Sequence, residues 1–77
     1  MSRRFYRLTF HRNGRLYLLQ IYKNEMNARK AYLKLRMERK SDSKRLDEVF
    51  WDSCIGSWQY VQTLNRTDGN SHDSNQF

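Results

Sequence analysis

The fold is determined by residues 4–22, which read RFYRLTFHRNGRLYLLQIY. Two short runs, 5–10 and 16–22, are rich in aromatic and aliphatic residues, and they flank Asn13-Gly14. Asn-Gly is a strong hairpin signal because a two-residue type I′ turn needs positive φ at both central positions. The stretch therefore predicts a tight β-hairpin that turns at Asn13 and Gly14.

The turn also predicts a register for the hairpin. The expected pairs are Arg12 with Arg15, His11 with Leu16, Phe10 with Tyr17, Leu8 with Leu19 and Tyr6 with Ile21. Because side chains alternate along a strand, one face is then entirely apolar or aromatic, with Tyr6, Leu8, Phe10, Tyr17, Leu19 and Ile21. The other face is mixed, with Phe5, Arg7, Thr9, His11, Leu16, Leu18, Gln20 and Tyr22.

The pattern of residues 24–40 is typical of an amphipathic helix. Asn24 is a plausible N-cap, Glu25 lies in the first turn, and basic residues lie in the last turn. At helical spacing, one apolar stripe can cover the hairpin, formed by Ala28, Ala31, Tyr32 and Leu35. A second apolar cluster falls almost opposite, formed by Met26, Leu33 and Met37. Between the two lies a basic ridge of Arg29, Arg36 and Lys40.

The second half of the chain is less regular. Helical spacing of apolar residues predicts a short second helix over 44–52, and the alternative is a strand through 49–51. Alternation from Ser57 indicates a final strand that ends near Leu64. Residues 66–77 are polar and lack periodicity, so they are expected to be a disordered tail. The prediction is one α+β domain over 1–65, of order ββα(α)β, with the hairpin and the last strand packed on the helix.

Composition limits the class of protein. The chain has 77 residues, enough for one small core. Cys54 is the only cysteine, which excludes a disulfide within the chain and favours a reducing compartment. No apolar stretch resembles a signal peptide or a membrane span. We therefore expect a cytoplasmic protein that does not enter a membrane.

The residues that carry catalysis or bind cofactors are sparse. His11 and His72 have no neighbours at metal-ligand spacing, and Cys54 has no nearby base in sequence. The three glycines belong to no phosphate-binding loop. The sequence therefore predicts a binding protein rather than an enzyme, with no catalytic residues, no metal and no cofactor.

Charge indicates what such a protein binds. The net charge is +7, and it is uneven: residues 1–45 carry fourteen cations and three carboxylates, whereas residues 46–77 carry one cation and five carboxylates. A basic half of this kind favours polyanions, nucleic acid in particular. The candidate phosphate contacts are Arg3, Arg4, Arg7, Arg12, Arg15, Arg29, Arg36 and Lys40. Nothing in the sequence distinguishes DNA from RNA or indicates a preferred base sequence.

A second hypothesis is that the chain binds a protein. Phages and other mobile elements encode small proteins that inhibit host complexes handling nucleic acid, including anti-CRISPR proteins and transcription inhibitors. The candidate contacts are the second apolar cluster, Met26, Leu33 and Met37, with Trp51 as an aromatic anchor. A homodimer closed through this cluster or through a sheet edge is compatible with either function.

Overall fold

The computed structural model describes residues 3–69, which form a small α+β fold. Its elements are β1 (Arg4–Arg12), β2 (Arg15–Tyr22), α1 (Glu25–Lys34), β3 (Asp42–Asp52) and β4 (Ser57–Asp68). Within this range the strands make one antiparallel sheet of order β2-β1-β3-β4, and α1 packs on one face of it. We call the other face, on which none of these elements packs, the open face.

The predicted hairpin is confirmed, but its register is confirmed only beside the turn. Asn13 and Gly14 both have positive φ, at 55° and 76°, as a type I′ turn requires. The pairs of Arg12 with Arg15 and His11 with Leu16 are also present. A bulge then shifts the register, so Phe10 faces Leu18, Leu8 faces Gln20 and Tyr6 faces Tyr22.

The bulge changes which residues of β2 meet the helix. Leu18 and Tyr22 pack against the core, whereas Tyr17 and Leu19, predicted to lie on the apolar face, are at least half exposed. Ile21 lines a cleft on the open face. An extra residue on one strand reverses the facing of every residue beyond it, because side chains alternate.

Helix α1 begins where predicted and ends earlier. The Asn24 side chain caps it by accepting a hydrogen bond of 3.1 Å from the amide of Asn27. The predicted stripe does cover the sheet: Ala28 and Tyr32 are buried, and Ala31 and Leu35 pack beside them. The helix ends at Lys34, not at Lys40, and Leu35 is already extended.

The cause of this early end lies in another part of the chain. Lys44 Nζ donates to the carbonyl oxygens of Tyr32 and Leu35 at 2.7 and 3.0 Å, a favourable position for a cation at a helix C-terminus. Its ammonium lies over the Tyr32 ring, 4.3 Å from the centroid. Burial lowers the pKa of Lys44.

The short second helix predicted over 44–52 is wrong, and the alternative of a strand is right. Residues 42–52 form β3, which lies between β1 and β4. As an inner strand it buries side chains on both faces, Leu46 toward α1 and both Asp47 and Val49 on the open face. Burial on both faces removes the strict alternation of a strand, and the spacing of the apolar residues then also fits a helix.

The last strand is longer than predicted. β4 continues past Leu64 to Asp68, and so enters the segment predicted as a tail. Two irregularities in its pairing with β3 leave Val61 and Leu64 without a direct partner, and Leu64 packs against the core. Residues 70–77 of the predicted tail lie outside the described range. No helix within residues 3–69 is long and apolar enough to cross a membrane.

Candidate nucleic-acid interface

The strand directions give the molecule two distinct ends. At one end are the hairpin turn, the end of α1, the start of β3 and the end of β4. At the other are the start of β1, the end of β3 and the start of β4. An amide-to-carbonyl hydrogen bond of 3.1 Å joins Asn13 to Ser41, so the turn lies against the segment that follows the helix.

Four of the eight predicted phosphate contacts are engaged within the protein. Arg4 pairs with Glu48, Arg7 with Asp47, Arg12 with Asp42, and Arg29 with Glu25. Arg29 also donates to the Asn65 side chain at 2.7 Å. Each of these guanidinium groups has a protein acceptor, so the four are poorer candidates for phosphate contacts than exposed cations.

Asp42 organises the segment between the helix and β3. Its carboxylate is buried and receives two hydrogen bonds from Arg12, at 2.7 and 3.1 Å. The amides of Glu38 and Arg39 also donate to it, both at 3.0 Å. Arg12 and then these amides hold the pKa of Asp42 well below its usual range. The backbone around Glu38 and Arg39 is therefore tied to the sheet.

Asp47 plays a similar part at the centre of the open face. It is fully buried, and its carboxylate receives hydrogen bonds from Arg7, Arg45 and Thr63 at 3.4, 3.0 and 2.9 Å. These three side chains come from β1, β3 and β4 respectively. The carboxylate is thus a structural link across three strands.

A group of exposed cations gathers at the turn end of the molecule. We call it the basic end, and it consists of Arg15, Lys34, Arg36, Arg39 and Lys40. Within residues 3–69, none of the five forms an ion pair. Glu38 is the one carboxylate in the segment 34–40, against four cations. Since Asp42 holds the amides of Glu38 and Arg39, the backbone that carries Arg39 and Lys40 is tied to the start of β3.

The opposite end carries an aromatic cleft of about 810 Å³ on the open face. Its apolar residues are Phe5, Ile21, Phe50, Trp51 and Trp58, and Arg3, Asp52, Ser53 and Cys54 complete its lining. The Trp58 ring meets the rings of Phe5 and Trp51 edge-to-face, with centroids 5.2 Å apart in both pairs. Trp51 remains 46 % exposed.

A polar cleft of about 260 Å³ lies near the turn end. It is lined by Thr9, His11, Ser43, Lys44, Arg45, Arg66 and Asp68. The side chains of Arg45 and Arg66 are 44 % and 64 % exposed, and each is within ion-pair distance of an aspartate. Basic side chains therefore line the open face between the aromatic cleft and the basic end.

The remaining predicted site residues are dispersed. Arg3 lines the aromatic cleft, and Arg15, Arg36 and Lys40 belong to the basic end. The ridge of Arg29, Arg36 and Lys40 does not exist as one helical edge, because α1 ends at Lys34. Met26 and Leu33 are exposed on α1, Met37 lies beyond the helix, and Trp51 lies on the open face. The four predicted protein contacts therefore do not form one surface.

Sequence reasoning missed several residues of these sites. Asp42 and Asp47 face Arg12 and Arg7 across β1 and β3, a signal that is visible only once 42–52 is known to be a strand. The sequence gives no direct sign of Trp58, because its approach to Phe5 and Trp51 depends on the same strand pairing. No three His, Cys, Asp or Glu side chains within residues 3–69 are placed to hold a metal ion.

The chain matches no protein-family model, no curated protein and no solved structure.

Proposed function

We propose that this protein is a non-enzymatic nucleic-acid-binding protein with a regulatory role, and that the basic end is its principal phosphate-binding surface. The observation that carries the proposal is a group of five exposed cations that form no ion pair with any residue of 3–69. The group lies at the junction of the hairpin turn and the segment 34–40. Cations that already hold a carboxylate must give up that partner to bind a phosphate. Unpaired cations need give up only water and small ions.

The order of the backbone strengthens the proposal. Asp42 holds the amides of Glu38 and Arg39, and Ser41 accepts from Asn13. A charged segment fixed in this way loses less conformational entropy on binding than a free loop would. Arg39 and Lys34 join Arg15, Arg36 and Lys40 as contacts. Arg4, Arg7, Arg12 and Arg29 are assigned to the fold instead.

The test is a comparison of two double variants with the same net charge. Arg36→Gln with Lys40→Gln removes two cations from the basic end. Lys23→Gln with Lys30→Gln removes two exposed cations that lie before and within α1. Fluorescence anisotropy with a labelled oligonucleotide at about 50 mM salt measures the Kd of each.

We expect the first variant to bind about ten-fold more weakly or worse, and the control to bind with nearly the wild-type Kd. Equal losses in both variants would mean that net charge alone attracts the nucleic acid. That result, or an absence of binding by the wild-type protein at low salt, would reject the basic end as the site.

The alternative function is inhibition of a host protein complex that handles nucleic acid, of the kind encoded by phages and mobile elements. Met26 and Leu33 favour it, because they are 66 % and 75 % exposed and lie about two turns apart on the same side of α1. A nuclease-treated lysate tests this function by comparing the proteins retained by the wild type and by Leu33→Asp. A partner retained by both, or by neither, argues against this surface.

A further inference from the structure

The aromatic cleft offers a type of contact that the basic end does not. Phe5, Trp51 and Trp58 come from three strands and meet edge-to-face, at interplanar angles of 73° and 75°. In an edge-to-face pair the edge of one ring meets one face of the other, so the opposite face can still be open to a flat ligand. The exposure of Trp51 shows that this surface reaches solvent.

The size and lining of the cleft suit a nucleobase. Its volume of about 810 Å³ is within the range of ligand sites and exceeds what one base requires. Asp52 and Ser53 supply polar groups in the lining, with which a base edge would form hydrogen bonds. Arg3 supplies a cation in the same lining. Aromatic faces beside cations are the features by which proteins hold unpaired bases.

Charge on the open face connects this cleft to the basic end. Arg45 and Arg66 lie between the two, on β3 and β4. Each is within ion-pair distance of an aspartate, but their side chains stay 44 % and 64 % exposed. From Phe5 to Arg12, β1 covers about 24 Å at the usual rise of a strand. A short stretch of nucleic-acid backbone can therefore follow the open face from one end to the other.

We propose that the aromatic cleft binds an unpaired nucleobase by stacking, and that the ligand of this protein is single-stranded nucleic acid. This inference rests on the proposed function, since the phosphates of the same strand reach the basic end. A duplex cannot stack a base in the cleft, because the faces of its paired bases are covered by the neighbouring base pairs. The proposal therefore specifies the class of nucleic acid, which charge alone does not.

Intrinsic tryptophan fluorescence can report on ligand binding in this cleft. The chain has two tryptophans, and both line the cleft, so intrinsic tryptophan emission reports on this site. A base stacked on either indole quenches that emission. Anisotropy of a labelled oligonucleotide reports total binding, wherever on the surface it occurs. The two signals together distinguish occupation of the cleft from binding elsewhere.

The experiment titrates the full chain with labelled oligothymidine of about ten nucleotides, and in parallel with a duplex of equal length. We expect the single strand to raise the anisotropy and to quench the emission, with the same midpoint. The duplex should bind through the basic end without quenching. Binding of the single strand with unchanged emission would overturn the cleft proposal and leave the proposed function standing. An absence of anisotropy change with both ligands would reject the proposed function and the cleft together.

Variants of Trp51 provide the second measurement. Trp51→Ala should weaken binding of the single strand by about ten-fold and leave duplex binding unchanged. Trp51→Phe retains an aromatic face and should restore most of the lost affinity. Tyr17→Ala, which removes an exposed aromatic ring on β2 outside the cleft, serves as the control. Two results would overturn the proposal: an equal loss of single-strand and duplex binding in Trp51→Ala, or no loss of either. Both would show that the cleft does not bind a base, and a protein would then be the remaining candidate ligand.

Discussion

Arg12 and Arg15 flank the same turn, yet their side chains have different surroundings. Arg12 donates two hydrogen bonds to the buried Asp42, and Arg15 is exposed without an ion pair among the described residues. Their positions in the sequence are nearly symmetrical about Asn13-Gly14. The distinction comes from β3, which lies beside β1 and places Asp42 opposite Arg12.

Substitution of these two arginines should separate stability from binding. Arg12→Ala leaves the buried Asp42 carboxylate without its only cationic partner among the described residues, so we expect a clear fall in Tm. Arg15→Ala should leave Tm nearly unchanged and weaken nucleic-acid binding. Circular dichroism melts and anisotropy titrations measure the two effects. A wild-type Tm for Arg12→Ala would show that the Asp42 contact contributes little to the fold.

Asp42 should also make the stability of the protein depend on pH. Its pKa is lower in the folded state than in the unfolded chain, chiefly because Arg12 stabilises the charged form. The stabilisation is therefore fully present above the ordinary aspartate pKa of about 3.9 and is lost as the pH falls below it. Urea unfolding at several pH values below about 5 should show a declining free energy of unfolding. Asp42→Asn should show a shallower decline, and parallel curves would contradict this role.

The elements differ in how far local sequence determines them. The hairpin turn, the N-cap at Asn24 and the stripe of Ala28 and Tyr32 depend on neighbouring residues, so they could be predicted. β3 could not, because an inner strand buried on both faces loses its alternation. The end of α1 could not be predicted either, because it depends on residues of β3. Lys44 binds the last carbonyl groups of the helix, and Asp42 binds the backbone amides that follow it.

The helix cap provides a test at the scale of one element. Asn24→Ala removes the acceptor for the Asn27 amide and should lower the free energy of unfolding by about 1 kcal/mol. Asn27→Ala is the matched control, because this exposed position contributes its backbone amide rather than its side chain to the cap. Alanine there should be neutral or slightly stabilising. Urea denaturation of both variants measures the difference, and equal losses would show that the cap is not the cause.

At the scale of the whole molecule, the sheet separates two surfaces of different chemistry. The basic end brings together the hairpin turn and the segment after α1, and the aromatic cleft brings together β1, β3 and β4 at the other end. The excess of cations in residues 1–45 could be read from the sequence. The sequence does not show which of these cations are free to bind a ligand, because that depends on which carboxylates the strand pairing places beside them.

The salt dependence of binding tests the central claim most directly, since it counts the phosphates that the protein neutralises. Five contacts at the basic end predict that log K for a single strand falls with log salt at a slope of about −3.5. Arg36→Gln with Lys40→Gln should make that slope shallower by about 1.4, and Lys23→Gln with Lys30→Gln should leave it unchanged. A nearly flat response of the wild-type protein, or an equal change in both variants, would contradict binding through the basic end.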